Sequence, residues 1–301
     1  MKKDSTPLVT IITPTYNRSS LLSKTIDSIL NQNYKNIEYI VIDDGSTDDT
    51  ERIVRNFQKI NREGKKLVYV KQKNMGETKA VNKGFSLARG EIIAVINSDD
   101  PLLPGCVSLI IEYLDQNPSI LAVYPDWEMI DIHSKKIQSV HPADYNYLTS
   151  LKEHYCMPGP GTFFRKKAIE LTGGRDSRFH YIADFAFWLK LGMYDELHHL
   201  PKTLATFRIH SGSQGVFKKG QNMASEHKAL VDLLFSDPDL PKEAQVLKSA
   251  AYSSAYYVAA KESIGFSQQI KYYFYSFVTN PINFLGKIRY EGVKLKSRLY
   301  K

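Results

Sequence analysis

Only two cysteines, Cys106 and Cys156, occur in 301 residues, and neither belongs to a Cys-x-x-Cys pair or a Cys/His cluster. That excludes a disulfide scaffold and a zinc site of ordinary spacing, and it fits a reducing compartment. No apolar run approaches the roughly 20 residues that a membrane span needs. The first residues, MKKDSTPLVTIITPTYN, carry two lysines, but Thr and Pro break the short apolar stretch, so no secretory signal is expected. No Gly-x-Gly-x-x-Gly follows the first strand-like run and no P-loop occurs, which excludes dinucleotide and Walker-type phosphate sites. Acidic residues are scarce at one end: Phe266 to Lys301 holds seven Lys/Arg and one Glu, +6 of the total +8. The rest of the chain is therefore close to neutral and lacks the basic face of a nucleic-acid-binding domain, so no nucleic-acid partner is expected.

What is present is an alternation. Leu8–Thr13, Ile37–Ile42, Lys66–Gln72 and Glu91–Ile96 are short apolar runs that predict strands. Between them, Ser19–Gln32, Asp48–Ile60 and Glu77–Ala88 carry apolar residues at helical spacing, and Pro104–Gln116 does so after the fourth strand. Strand–helix alternation with short links predicts an α/β protein with a Rossmann-like, mostly parallel sheet flanked by helices. After Leu121 the rhythm breaks into short strand candidates (Leu121–Tyr124, Lys136–Val140, Thr162–Arg165) with Gly/Pro punctuation. From Gln221 the pattern is helical. The expected division is a main α/β domain over residues 1–220 and a helical C-terminal appendage over 221–301.

Ligands of open parallel sheets collect beyond the carboxyl ends of the strands. Three predicted strands end in polar clusters: Pro14-Thr15-Tyr16-Asn17-Arg18, Asp43-Asp44-Gly45-Ser46 and Asn97-Ser98-Asp99-Asp100. Either Asp pair alone also suits a turn with a helix cap. Two Asp pairs at one sheet edge favour a site that binds a cation or a polar ligand.

The ordered set TPTYNR, VIDDGS, NMGETKAVNKGFSLARGEIIAVINSDD, IADFAFWLKL and FRIHSGS resembles a family 2 inverting glycosyltransferase of the GT-A fold, over about Leu8 to Gly215. The resemblance implies a metal-dependent transfer from a nucleotide-sugar, UDP- or dTDP-linked, to a saccharide hydroxyl in surface glycan or polysaccharide synthesis. It implies that Asp44 accepts the imide N–H of the base, with Pro14, Thr15, Tyr16 and Arg18 walling base and ribose. Asp43, Asn74, Gly76, Lys79, Ser98 and Asp99 complete the nucleotide site. Asp100 and His210 would bind Mn²⁺ or Mg²⁺, for which oxygen ligands suit. Arg208, His210, Ser211 and Ser213 would contact the diphosphate. Asp184 would be the base, its pKa raised by apolar neighbours in sequence. Val81 and Ala186 depart from the family pattern, standing where many relatives carry Arg and an acid. A non-catalytic nucleotide-sugar-binding scaffold is the second reading, and retention of both Asp pairs and Asp184 counts against it.

The basic end interleaves Ile282, Leu285, Ile288, Leu295 and Leu299 with Lys287, Arg289, Lys294, Lys296, Arg298 and Lys301, after the aromatic group Tyr272 to Tyr275 and Phe277. Such a segment suits an anionic membrane surface. The expected location is cytoplasmic and peripheral on the membrane, with access to a lipid-linked acceptor. A helix packed on the domain with a solvated basic face suits the same pattern.

Overall fold

The computed structural model describes residues 6–60, 62–210 and 221–299. They form two compact units, one from residues up to 145 together with 157–213, the other from 146–156 together with the segment from 214 on. The expected division at residue 220 therefore leaves out residues 146–156, which belong with the C-terminal helices.

The first unit runs β1 (Val9–Thr15), α1 (Ser19–Leu30), β2 (Ile37–Asp43), α2 (Thr50–Gln58), β3 (Lys65–Lys71), α3 (Glu77–Leu87), β4 (Ile92–Val95) and α4 (Cys106–Gln116). There follow β5 (Ala122–Ile130), β6 (Lys136–Val140), then α5 (Tyr147–Glu153) of the other unit, β7 (Phe163–Arg165), α6 (Lys167–Thr172), α7 (Ala183–Leu191) and β8 (His198–Arg208). The sheet order is β3-β2-β1-β4-β7-β5-β6, with β8 also paired to β5. The β3-β2-β1-β4 half is parallel, as the alternation predicts. Beyond it β7 is antiparallel to both β4 and β5.

Every residue of β1 and of β2 is buried, the two-sided burial that near-continuous apolar strands require. The helix over α1 buries Leu21, Leu22, Thr25, Ile26, Ile29 and Leu30, the same six positions that the periodicity marks. α2 is shorter than predicted, and Ile60 lies beyond it, exposed. The eleven-residue β8 was not predicted. Its pattern is interrupted at Pro201 and Lys202, and its register against β5 shifts around Asp126.

One buried charge knits the parallel half together. Glu38 on β2 accepts the Thr10 hydroxyl at 2.7 Å, and the backbone and side chain of Arg89 at 2.9 and 2.6 Å. Desolvation opposes the charged carboxylate, but these donors outweigh it and hold its pKa below the ordinary glutamate value.

The second unit comprises α5, α8 (Gln221–Ser236), α9 (Lys242–Gln245), α10 (Lys248–Glu262), α11 (Phe266–Thr279) and α12 (Pro281–Leu299). Small residues on α10 (Ala250, Ala251, Ala255, Ala259) are buried and let neighbouring helices approach closely. His154, just after α5, meets His227 on α8 at 2.8 Å, and His227 in turn meets Glu262 on α10. Burial, then His227 and Lys287, hold His154 well below the usual histidine pKa. Among the described residues no helix is long and apolar enough to cross a membrane.

Glu38→Gln is expected to destabilise the protein by about 1–3 kcal/mol at neutral pH, because charge-assisted bonds are lost in a buried position. The folded pKa is depressed, so this stabilisation is present above the unfolded value and lost as pH falls through the folded one. Thermal melts of both proteins against pH should show a gap that closes in acid.

Candidate active site

Parallel pairing brings the ends of β1, β2 and β4 to one edge. Thr15 lies opposite Asp43 in the register, and the Asp44 N–H donates to the Thr15 carbonyl at 2.9 Å. The β2 turn then needs Gly45 at φ +85°, where a Cβ would come within 2.9 Å of the Asn74 nitrogen. This close approach packs the Asp43–Ser46 turn against the 72–76 loop.

The two acids of this turn differ. Asp43 is fully buried, accepting the Ser46 N–H at 2.7 Å and the Tyr69 hydroxyl at 2.5 Å. Within the protein its carboxylate holds the turn. Asp44 accepts Gln72 Nε2 at 2.8 Å, Met75 N–H at 2.9 Å and Gly76 N–H at 2.8 Å. A carboxylate offers about four acceptor positions, so room for a further N–H remains. Gly76, at φ +91°, thus serves by pointing its N–H at Asp44, while Asn74 and Lys79 stand exposed beside it. Pro14 and Thr15 are buried, and Thr15 Oγ1 has no hydrogen-bond partner among the described residues. Tyr16 is exposed next to it.

At the end of β4 the chain turns through Asn97–Asp100. Asp100 is buried, accepting the Arg208 N–H at 2.7 Å and Asn97 Nδ2 at 3.1 Å. Burial, then the Asp99 charge, push its pKa up to about 8. Asp99 is more open, and its Oδ2 lies 2.8 Å from His210 Nε2, which is 3.5 Å from Arg18 Nη1. Ser98 is buried, its carbonyl accepting the Thr25 hydroxyl. Residues separated by nearly 200 positions therefore meet at this edge: Arg18, Asp99 and His210.

Arg208 is 1% exposed, with Nε donating to the Asp99 carbonyl at 2.9 Å and Nη1 to the Asp131 carbonyl at 2.6 Å. It braces the Asp99–Asp100 turn. Ser211 and Ser213 lie outside the described residues.

Among the described residues no three of His, Cys, Asp and Glu converge to hold a metal ion unaided. The donor chemistry still fits a hard cation of the kind held by one or two carboxylates plus substrate phosphates. Asp99 and Asp100 are adjacent, partly uncompensated acids at a strand end, with an imidazole alongside.

Asp184 stands in the first turn of α7 and is exposed. Phe185, Phe187, Trp188 and Leu191 turn inward, where Phe187 packs on Phe164 and Phe85 (ring centroids 5.3 and 6.1 Å). Apolar neighbours in sequence thus anchor the helix and do not enclose the carboxylate, contrary to expectation. A further acid, Glu77, escaped the sequence reading. Its carboxylate pairs with Arg175 at 3.1 Å, and the Arg175 backbone is held to α3 through both amide atoms of Asn82. Although 45% of the Glu77 side chain meets solvent, its pKa is raised, first by desolvation and then, against Arg175, by the charges of Asp184 and Asp99. Glu77, Asp184 and Asp99 thus share one electrostatic neighbourhood. The available signal was the position of Glu77, three residues after Asn74 at the start of a predicted helix.

Comparison with known proteins shows the family and the fold. The model of glycosyl transferase family 2 matches residues 10–172. The chain belongs to glycosyl transferase family 2. It is 31% identical over 219 residues to an uncharacterised glycosyltransferase of Rickettsia prowazekii, covering 68% of this chain and 65% of that one. It therefore spans just under two thirds of that relative. It is 28% identical over 263 residues to the GalNAc(5)-diNAcBac-PP-undecaprenol beta-1,3-glucosyltransferase of Campylobacter jejuni, covering 84% of this chain and 83% of that one. Among solved structures, S. aureus TarS in complex with UDP-GlcNAc aligns at TM-score 0.63 and 15% identity, over 92% of this chain and 89% of that one. The mannosyltransferase PcManGT of Pyrobaculum calidifontis, with GDP-Man and Mn²⁺, aligns at 0.63 and 17%, over 96% and 81%. The glycosyltransferase shares their GT-A fold.

Asp44→Asn should release the 72–76 loop, because an amide cannot accept all three donors. Hydrogen exchange at Met75 and Gly76 is expected to quicken by about tenfold or more, the counterpart of losing one charge-assisted bond of roughly 1.5–3 kcal/mol. Unchanged exchange would show that the loop does not depend on Asp44.

Proposed function

We propose that this family 2 glycosyltransferase is an inverting enzyme that moves a sugar from a UDP- or dTDP-linked donor to a saccharide hydroxyl during surface glycan or polysaccharide synthesis. The observation that carries the reading is the meeting of Asp44, the Asp99/Asp100 pair and His210 at one sheet edge. The electrostatic neighbourhood of Asp99 and Asp184 supports a reaction centre there. Asp44, with one acceptor position open, suits the imide N–H of uracil or thymine, and the exposed Tyr16, following Pro14 and Thr15, suits the base and ribose. Arg18, Asn74, Gly76, Lys79, Ser98 and Asp99 complete the nucleotide wall.

Asp100 and His210 would hold Mn²⁺ or Mg²⁺ against the diphosphate, where the ion offsets charge on the departing group. In a single displacement Asp184 takes the proton of the acceptor hydroxyl as its oxygen attacks the anomeric carbon. A new carbon–oxygen bond forms on one face, the bond to the diphosphate breaks on the other, and its electron pair leaves with the nucleoside diphosphate. The exposure of Asp184 leaves room for an acceptor beside it. Arg208 acts through Asp99 and Asp100 as a positioning residue. The acceptor in this reading is lipid-linked and reached by peripheral association with the cytoplasmic face. The lipid link alone is supported by the Campylobacter relative, which is named for an undecaprenol-diphosphate glycan.

Asp184→Asn is expected to lower transfer by about 10²–10⁴-fold, the range of a lost general base, with UDP binding unchanged. Asp100→Asn should remove the tightening of UDP binding by Mn²⁺ in a calorimetric titration. Full turnover by the Asp184 variant would exclude it as the base.

A further inference from the structure

The C-terminal unit leaves an apolar helical face in water. On α11, Phe266, Ile270, Phe274 and Phe277 recur on one side, and Phe266 and Phe274 are 78% and 59% exposed. Ile282, Leu285 and Ile288 continue as exposed residues at three-residue spacing on α12. The inward sides of the same helices are occupied: Tyr273 packs on Tyr257 and Phe284, and Ser276 is buried beside Ser253. Monomers seldom expose a contiguous apolar surface of this kind without a partner for it.

Charge selects the partner. From Phe266 to Lys301 the net charge is +6. The single acid of this stretch, Glu291, is paired to Lys261 of α10. Lys287 is engaged by Glu153, whereas Lys271 and Arg289 lie exposed beside the apolar residues. A second copy of the chain would bring two such segments together and repel. A neutral apolar partner would leave the basic groups uncompensated. An anionic bilayer meets both needs, since apolar side chains enter the headgroup–acyl boundary while cations stay at the phosphates.

We infer that α11 and α12 form a docking face for an anionic lipid surface, with Phe266, Ile270, Phe274 and Phe277 as the inserting residues and Lys271 and Arg289 as phosphate contacts. The sequence joins the basic segment after Pro281 to the aromatic group before it, and the structure adds Phe266 and Ile270 to the exposed face, while Leu295 and Leu299 lie outside the described side chains. The docking brings the enzyme to a lipid-linked acceptor, and on that point it rests on the function proposed above.

The full chain is tested by co-sedimentation with vesicles of phosphatidylcholine alone or with 30 mol% phosphatidylglycerol, about 30% anionic lipid being enough to create the surface potential. Binding is expected only to the anionic vesicles and should weaken in high salt. Phe266→Gln, Ile270→Gln, Phe274→Gln and Phe277→Gln combined should lower partitioning by about tenfold or more, as should Lys271→Glu with Arg289→Glu. All six positions are exposed. Because Phe277 also packs edge-on against Phe284 (ring centroids 5.7 Å), a variant that keeps Phe277 and changes Phe266, Ile270 and Phe274 is the folding control. Its thermal melt should match the parent, and UDP binding in solution should be unchanged. Equal vesicle binding by the parent and both variants would overturn the docking face, as would a parent dimer that the four-residue variant dissolves. Vesicle binding lost in the variants while UDP fails to bind the parent would uphold the face and remove the transferase reading.

Discussion

The site depends on one buried cation. Arg208 at the end of β8 lies beneath the β4 turn, and its backbone N–H and guanidinium reach Asp100, the Asp99 carbonyl and the Asp131 carbonyl together. A guanidinium removed from water is costly unless acids and carbonyls surround it, so its position and theirs are mutually determined. That constraint ties the turn after β4 to the end of β8. It leaves Asp99 free to turn toward His210 and Arg18 on the open side.

The same economy of direction runs through both Asp pairs. In each pair the two acids have different partners, and one is more deeply buried than the other. Asp43 is taken by Ser46 and Tyr69, and Asp44 gathers the 72–76 loop while keeping an acceptor position open. Asp100 is taken by Arg208 and Asn97, and Asp99 meets His210. Two adjacent carboxylates are tolerated because they are not equivalent.

The parallel half of the sheet was legible because its evidence is local. Apolar runs of strand length, helical spacing over α1 and Gly-containing turns each act within a dozen residues. β8 was hidden because its exposed lysine and proline break the pattern, while its partner β5 lies some seventy residues earlier. Residues 146–156 fall inside the expected first domain, and only packing against α10 and the His154–His227–Glu262 chain assigns them to the second unit. Glu77 and Arg175 are 98 positions apart, a separation over which no spacing rule operates.

By itself the sequence determined which residue types end each strand, where the chain turns, and which family pattern they form, since those depend on short-range periodicity and turn chemistry. Tertiary structure decided which acid of each pair is the more deeply buried, that Arg208 braces the Asp99–Asp100 turn, that Asp184 stands in the open, and that the apolar face of α11 is uncovered. Those outcomes depend on donors, charges and packing surfaces supplied by distant segments, and a side chain's direction is settled only when those segments arrive.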